Sequence, residues 1–209
     1  MITISTAVER NAPSGPDAAT VASASHPRAS KSLQLIRACR LQSDDPIIVI
    51  AAGTPLLVEA LLAAGYSDLT VVHRSSEELD ALHRQINGFA HRPTLLSAEV
   101  TEFHPRRRYA LWHDSDVFPL LTYPEERQRY LEVLQEALRP GGYAVIATPG
   151  PAGALQWRGL PVRRYSALTL PAEFGQQFEL TEHSLETERT PSGEHQEHLY
   201  CRFRRRAPT

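Results

Sequence analysis

Cysteine is close to absent: Cys39 and Cys201 are the only two in 209 residues. They lie far apart and outside any CxxC spacing, which excludes a disulfide framework and a cysteine-based zinc site and fits a reducing, cytoplasmic setting. Lysine is scarcer still. Lys31 stands alone, and every other basic residue is an arginine, a bias we ascribe to coding composition. No charge of one sign dominates, since 22 Lys+Arg face 24 Asp+Glu for a net charge of −2. That balance supplies no general attraction for nucleic acid or an anionic membrane. The clusters Arg106-Arg107-Arg108 and Arg204-Arg205-Arg206 are flanked by acids or close to the end, and read as solvated surface. Long apolar runs are missing too, none approaching the ~20 residues that span a bilayer. The first 25 residues lack the basic start and apolar stretch of a secretory signal. What remains, 42% hydrophobic and 22% charged residues, is the composition of an ordinary globular domain with one core.

Residues 1–30 carry Pro13, Pro16 and Pro27 among many Ala, Ser and Thr, with few large apolar groups to offset the entropy of ordering. They are expected to form a flexible tail, and the domain to run over residues 31–206, opening with a short amphipathic helix around Leu33 and Ile36. From Pro46 the pattern alternates in kind. Ile47-Ile48-Val49-Ile50, Leu69-Thr70-Val71-Val72, Thr94 to Ala98, Tyr109 to Trp112 and Tyr143 to Ala147 read as strands, three of them continuous apolar runs of the kind buried on both faces. Between them, Leu56 to Ala64 (closed by Gly65), a helix capped by Ser75 and Glu78, and Pro124 to Leu138 read as helices. Two polar-alternating runs, Phe178 to Glu188 and His195 to Phe203, joined by Thr190-Pro191-Ser192-Gly193, predict an antiparallel hairpin. The expected fold is therefore α/β: a three-layer sandwich with a mostly parallel seven-stranded sheet ending in an antiparallel hairpin.

This layout resembles the class I S-adenosylmethionine-dependent methyltransferases over roughly residues 32–206. The turn Leu138-Arg139-Pro140-Gly141-Gly142-Tyr143 is similar to the L-R-P-G-G that leads into the fifth strand of those enzymes. Leu111-Trp112-His113-Asp114, with Val117-Phe118 and Leu121-Thr122, resembles the W-H-D-R-A-x-F-H-F-L-T stretch of one bacterial subgroup. Gly159-Leu160-Pro161-Val162, Arg164-Tyr165, Arg189-Thr190-Pro191 and Leu199-Tyr200-Cys201-Arg202-Phe203 resemble further segments of that subgroup. The resemblance implies a Rossmann-like methyltransferase fold and S-adenosylmethionine bound outside the carboxyl ends of the parallel strands. It assigns cofactor contacts to the first turn (Ala51, Ala52, Gly53), to the end of the second strand (His73), to Glu99 and Val100 after the third, and to Trp112. It assigns the surroundings of the transferred methyl group to His113 and Asp114.

The match breaks at several of these positions. The D-x-G-G-G turn of the family is Val49-Ile50-Ala51-Ala52-Gly53 here, and the acid that binds the ribose hydroxyls is replaced by His73. An imidazole offers one hydrogen bond where a carboxylate offers two oxygens, a loss of very roughly ten- to a hundredfold in affinity. Ser115, Asp116 and Pro119 stand where the subgroup has Arg, Ala and His. His113 is the natural base if an acceptor proton must be removed, because an unperturbed imidazole titrates at ~6.5; the alternative is a histidine that merely packs at a strand end. Trp112 is likewise divided between bordering the pocket and packing in the core. His195 and His198, three apart on a strand, point to opposite faces and cannot share an ion, so no metal is expected. Cys201 is expected to be an inert core residue, and the Gly/Pro-rich stretch 149–164 to form a lid, a substrate wall or an oligomer contact. Two functions follow: a methyltransferase acting on a small molecule, or a methyltransferase-fold protein that has lost catalysis and serves as a binding partner, regulator or scaffold.

Overall fold

The computed structural model describes residues 27–51, 55–189 and 195–207. Its elements in chain order are α1 (Pro27–Arg37), β1 (Ile47–Ala51), α2 (Leu56–Ala63), β2 (Leu69–His73), α3 (Ser76–Gln85), β3 (Thr94–Ser97), β4 (Tyr109–Ser115), α4 (Pro124–Ala137), β5 (Leu138–Pro149), the short pair β6 (Gln156–Trp157) and β7 (Leu160–Pro161), α5 (Thr169–Phe174), β8 (Phe178–Arg189) and β9 (His195–Arg205). Seven strands form one sheet in the order β3-β2-β1-β4-β5-β9-β8. The first five run parallel; β9 lies antiparallel to β5, and β8 antiparallel to β9.

The apolar runs become the middle of this sheet because helices cover both of its faces. One face buries Leu35, Ile36, Val49, Leu61, Val71 and Val145 beneath α1, α2 and α3. The other buries Trp112, Tyr130, Ile146, Phe174 and Phe203 beneath α4 and α5. Local chemistry sets the ends of the helices. Gly65, with φ +89°, ends α2 while Tyr66 N–H donates back to the Leu61 carbonyl. The Ser75 hydroxyl accepts from Glu78 N–H at 3.3 Å and donates to the Glu77 carboxylate at 2.8 Å, so the side chain that answers the cap is Glu77.

The structure differs from the sequence reading in four places. Residues Pro27–Ser30, assigned to the tail, form the first turn of α1, while residues 1–26 lie outside the described residues. β4 runs three residues past Trp112, because His113, Asp114 and Ser115 are polar yet still paired between β1 and β5. Pro140-Gly141-Gly142 does stop the helix, but the stretch lies inside β5, which starts at Leu138 and breaks register between Leu138 and Tyr143. α5, six residues long, has no counterpart in the sequence pattern. The hairpin β8–β9 pairs from Phe178 with Arg205 to Arg189 with His195, and its turn lies outside the described residues.

Candidate functional site

The register aligns one row of residues at the carboxyl ends of the parallel strands: Ser97 beside His73, then Ala51, then Ser115 beside Ala147. Ala51 closes β1 and is half-buried, whereas Ala52 and Gly53 lie outside the described residues. His73 ends β2, half-buried. Its Nδ1 accepts from Ser75 N–H at 2.9 Å and lies 3.2 Å from the Ser75 carbonyl. A backbone N–H can only donate, so the neutral ring carries its proton on Nε2. Glu99 follows β3, exposed, and its carboxylate takes no hydrogen bond among the described residues. Val100 is buried in the core beside it. A small cavity of about 110 Å³ opens next to His73, between α2 and α3 and lined by Val58, Val71 and Leu79.

Three assigned residues sit deeper than the sequence suggested. Trp112 is fully buried under α4, its Nε1 donating to the Tyr130 hydroxyl at 2.8 Å with the two rings edge to face. It packs in the core beneath α4. Asp114, also fully buried, accepts a hydrogen bond from that hydroxyl at 2.7 Å and from Val117 N–H and Phe118 N–H at 2.8 and 2.9 Å. Burial pushes its carboxyl up to about 7, against the pull of these three donors. Two of these bonds hold the turn after β4 and the third ties it to α4. His113 points to the opposite layer, under α1, with Nε2 at 2.9 Å from the Ser32 hydroxyl. Burial, assisted by the Arg28 charge, pushes its ring down to about 3. The expected roles of His113 as general base and of Asp114 in catalysis thus fall on buried groups, the ring 1% exposed and aimed at α1, the carboxylate aimed at α4.

The same strand ends carry a group the sequence reading did not assemble. Arg28, from the first turn of α1, forms an ion pair with Asp116 just past β4, and its Nη2 lies 3.4 Å from the Ser115 hydroxyl. Asp116 is buried and holds φ +71°, left-handed backbone that an aspartate tolerates better than most residues. The guanidinium lies 5.8 Å from the centre of the ring of Trp157, which β6 presents within the 149–165 loop. That loop is tied down rather than free. Gly150 N–H donates to the Glu197 carbonyl, Arg163 N–H to the Pro119 carbonyl and Tyr165 N–H to the Pro149 carbonyl, each at 2.9–3.0 Å. Buried His198 and Tyr200 of β9 complete the surroundings; burial, with Arg28 beside it, lowers His198 to about 4, while burial raises the Tyr200 hydroxyl. Arg28 was missed because it lies in a proline-rich stretch of an arginine-rich chain. The available signal was Asp116 itself, a carboxylate at a buried strand end, which requires a cation.

Among the described residues no three His, Cys, Asp or Glu side chains converge as metal ligands, and no helix is long and apolar enough to cross a membrane. Cys39 and Cys201 are buried free thiols, and burial pushes both up to about 12.

No protein-family model matches the chain, and no curated protein matches it in sequence. Solved structures do. The N-methyltransferase NodS from Bradyrhizobium japonicum WM9 superposes with a TM-score of 0.69 at 16% identity, covering 88% of this chain and 99% of that one. A SAM-dependent methyltransferase from Methanosarcina mazei gives 0.69 at 16% identity, covering 83% and 98%. The glycopeptide N-methyltransferase MtfA, solved with sinefungin, gives 0.67 at 15% identity, covering 86% and 94%.

Proposed function

The chain has the fold of the class I S-adenosylmethionine-dependent methyltransferases, and from that premise we propose that it is such a methyltransferase acting on a small molecule. The observation that carries the reading is the row of strand ends. It presents a ring nitrogen that donates, His73 Nε2, and an uncommitted carboxylate, Glu99, at neighbouring strands on the side where this fold takes ligands. These residues fit a nucleoside. His73 Nε2–H can donate to one ribose hydroxyl, and Glu99 can accept from an adenine amino group. S-adenosylmethionine, when bound, supplies the methyl group. This chain's residues would then orient the acceptor and exclude water, since His113 and Asp114 are both spent on structure.

A second reading has its own support. The replacement of the ribose-binding acid by His73, together with the Arg28–Asp116 ion pair across the β4 end, favours a protein that binds a ligand or a partner without transferring a methyl group. Calorimetry with S-adenosylhomocysteine separates the outcomes. Micromolar binding is expected, and no heat or thermal shift at millimolar ligand would overturn the methyltransferase reading. His73→Asp is expected to tighten binding about tenfold by restoring a two-oxygen acceptor, and Glu99→Ala to weaken it about tenfold. The reverse order would place the nucleoside elsewhere. Binding without turnover on any acceptor would favour the second reading.

A further inference from the structure

Positive charge is left over where the loop after β5 meets the segment after β4. Arg163 N–H donates to the Pro119 carbonyl and Tyr165 N–H to the Pro149 carbonyl, which seats residues 163–165 beside the end of β5. An open groove of about 460 Å³ lies there, lined by Arg163, Arg164, Ser166 and Thr169 among others. Glu173 of α5 stands between two guanidinia, 3.1 Å from Arg127 Nε and 3.3 Å from Arg163 Nη2. Arg163 Nε donates to the Tyr165 hydroxyl at 3.1 Å, so its Nη1 is left without a partner among the described residues. Arg164 is exposed and makes no hydrogen bond or ion pair among the described residues. Three arginines thus face one glutamate, and this cluster keeps two positive charges.

The hydroxyls of the groove have a proton to spare. Ser166 Oγ accepts from Leu168 N–H and Thr169 N–H, Thr169 Oγ1 accepts from Ser166 N–H, and the two oxygens lie 3.2 Å apart. Only one of their two protons can lie between them, so the other is free to donate. An uncommitted guanidinium, a half-used one and a hydroxyl donor therefore open on one groove, and none of its lining residues is acidic. That set of donors matches a carboxylate or phosphate, whose oxygens take the guanidinium fork. Sheet order puts the groove by β5, across β1 and β4 from His73 and Glu99, so it can be filled together with the nucleoside row. We propose that this groove binds the anionic end, a carboxylate or a phosphate, of the methyl acceptor, with Arg164 as its main contact and Arg163 and the spare hydroxyl proton beside it. The inference deepens the methyltransferase reading and rests on it only for calling the ligand an acceptor.

The test uses the full chain at low ionic strength, where exposed charges are least screened. Its probes are benzoate and phenyl phosphate as the two anions, benzamide as their uncharged counterpart, and S-adenosylhomocysteine. In an NMR titration at least one anion is expected to shift the amide signals of residues 163–169, and the tighter of the two names the anionic group. Benzamide is expected to shift none of them. Arg164→Gln weakens the tighter anion about fivefold, and Arg164→Glu weakens it further. Because Arg164 has no partner to lose among the described residues, both variants keep the melting temperature of the parent protein and its affinity for S-adenosylhomocysteine. Saturating S-adenosylhomocysteine leaves the anion bound. The proposal is overturned if neither anion binds, if benzamide shifts the same amides, if both variants bind the anion as the parent does, or if S-adenosylhomocysteine displaces it. A parent protein that takes the anion but not S-adenosylhomocysteine overturns the methyltransferase reading and leaves the anion site standing.

Discussion

His113 and Asp114 show how much one position along a strand decides. Adjacent in β4, they project into opposite helix layers, His113 toward Ser32 of α1 and Asp114 toward Tyr130 of α4. Their titrations oppose each other as well. The His113 value of about 3 in the fold lies below the unfolded value of 6.5, so the fold favours the neutral ring. Its stabilisation is complete above about pH 6.5 and is lost as the pH falls toward 3. At pH 5 the loss is about 2 kcal/mol, from ~1.4 kcal/mol per pH step below 6.5. Asp114, lifted to about 7, works the other way, favouring the fold at acid pH and losing that contribution as the pH rises through 7. The wild-type profile therefore mixes both groups. His113→Gln, which keeps a polar end for Ser32, isolates one of them. Urea unfolding at pH 5 and pH 7 should show the change in stability from pH 5 to pH 7 about 2 kcal/mol less favourable in the variant than in wild type. An unchanged difference would mean that the ring is open to protonation in the fold.

At the scale of elements, β1 and β2 were legible because burial on both faces writes a continuous apolar run, and α4 because one face repeats at helical spacing. The extension of β4 was not, since His113, Asp114 and Ser115 are polar and their pairing partners lie on other strands. α5 escaped because six residues show too little periodicity. In the site, His73 and Glu99 could be placed because each directly follows a readable strand. Arg28 could not, because its contact with Asp116 spans 88 positions and no local pattern records it. The glycine at the irregular start of β5 has a steric reason. A Cβ at Gly142 would lie 2.9 Å from the Arg139 carbonyl oxygen and 3.0 Å from that of Ala110, both backbone atoms with little freedom to withdraw. Gly142→Ala should therefore cost about 2–3 kcal/mol. Gly65→Ala, at φ +89° but with open space around it, should cost about 1 kcal/mol from backbone strain alone. Denaturant midpoints at constant m-value compare the two, and equal costs would contradict the steric argument.

For the molecule as a whole, protection should follow the layers. β1, β4 and β5 lie mid-sheet between both helix layers, and their apolar side chains are almost fully buried. β3 is an edge strand whose residues are half-buried or exposed. α1 joins two regimes. Leu35 and Ile36, fully buried, anchor its C-terminal half, while Arg28 and Ser32 bind its first turns to the sheet through polar contacts. In hydrogen exchange, amides of Leu111–Asp114 and Ala144–Ala147 should open only with global unfolding, and those of β3 by local opening. Within α1 the amides near Ser32 should exchange well before those near Ile36, because a polar seam with unpartnered groups stabilises its cover less than a packed apolar one. S-adenosylhomocysteine held at His73 and Glu99 should slow exchange selectively at the end of β3 and in the Glu99 turn, leaving the first turns of α1 untouched. Uniform slowing across the chain would report global stabilisation alone. Slowing confined to the first turns of α1 would place the ligand at Arg28, away from the nucleoside end of the row.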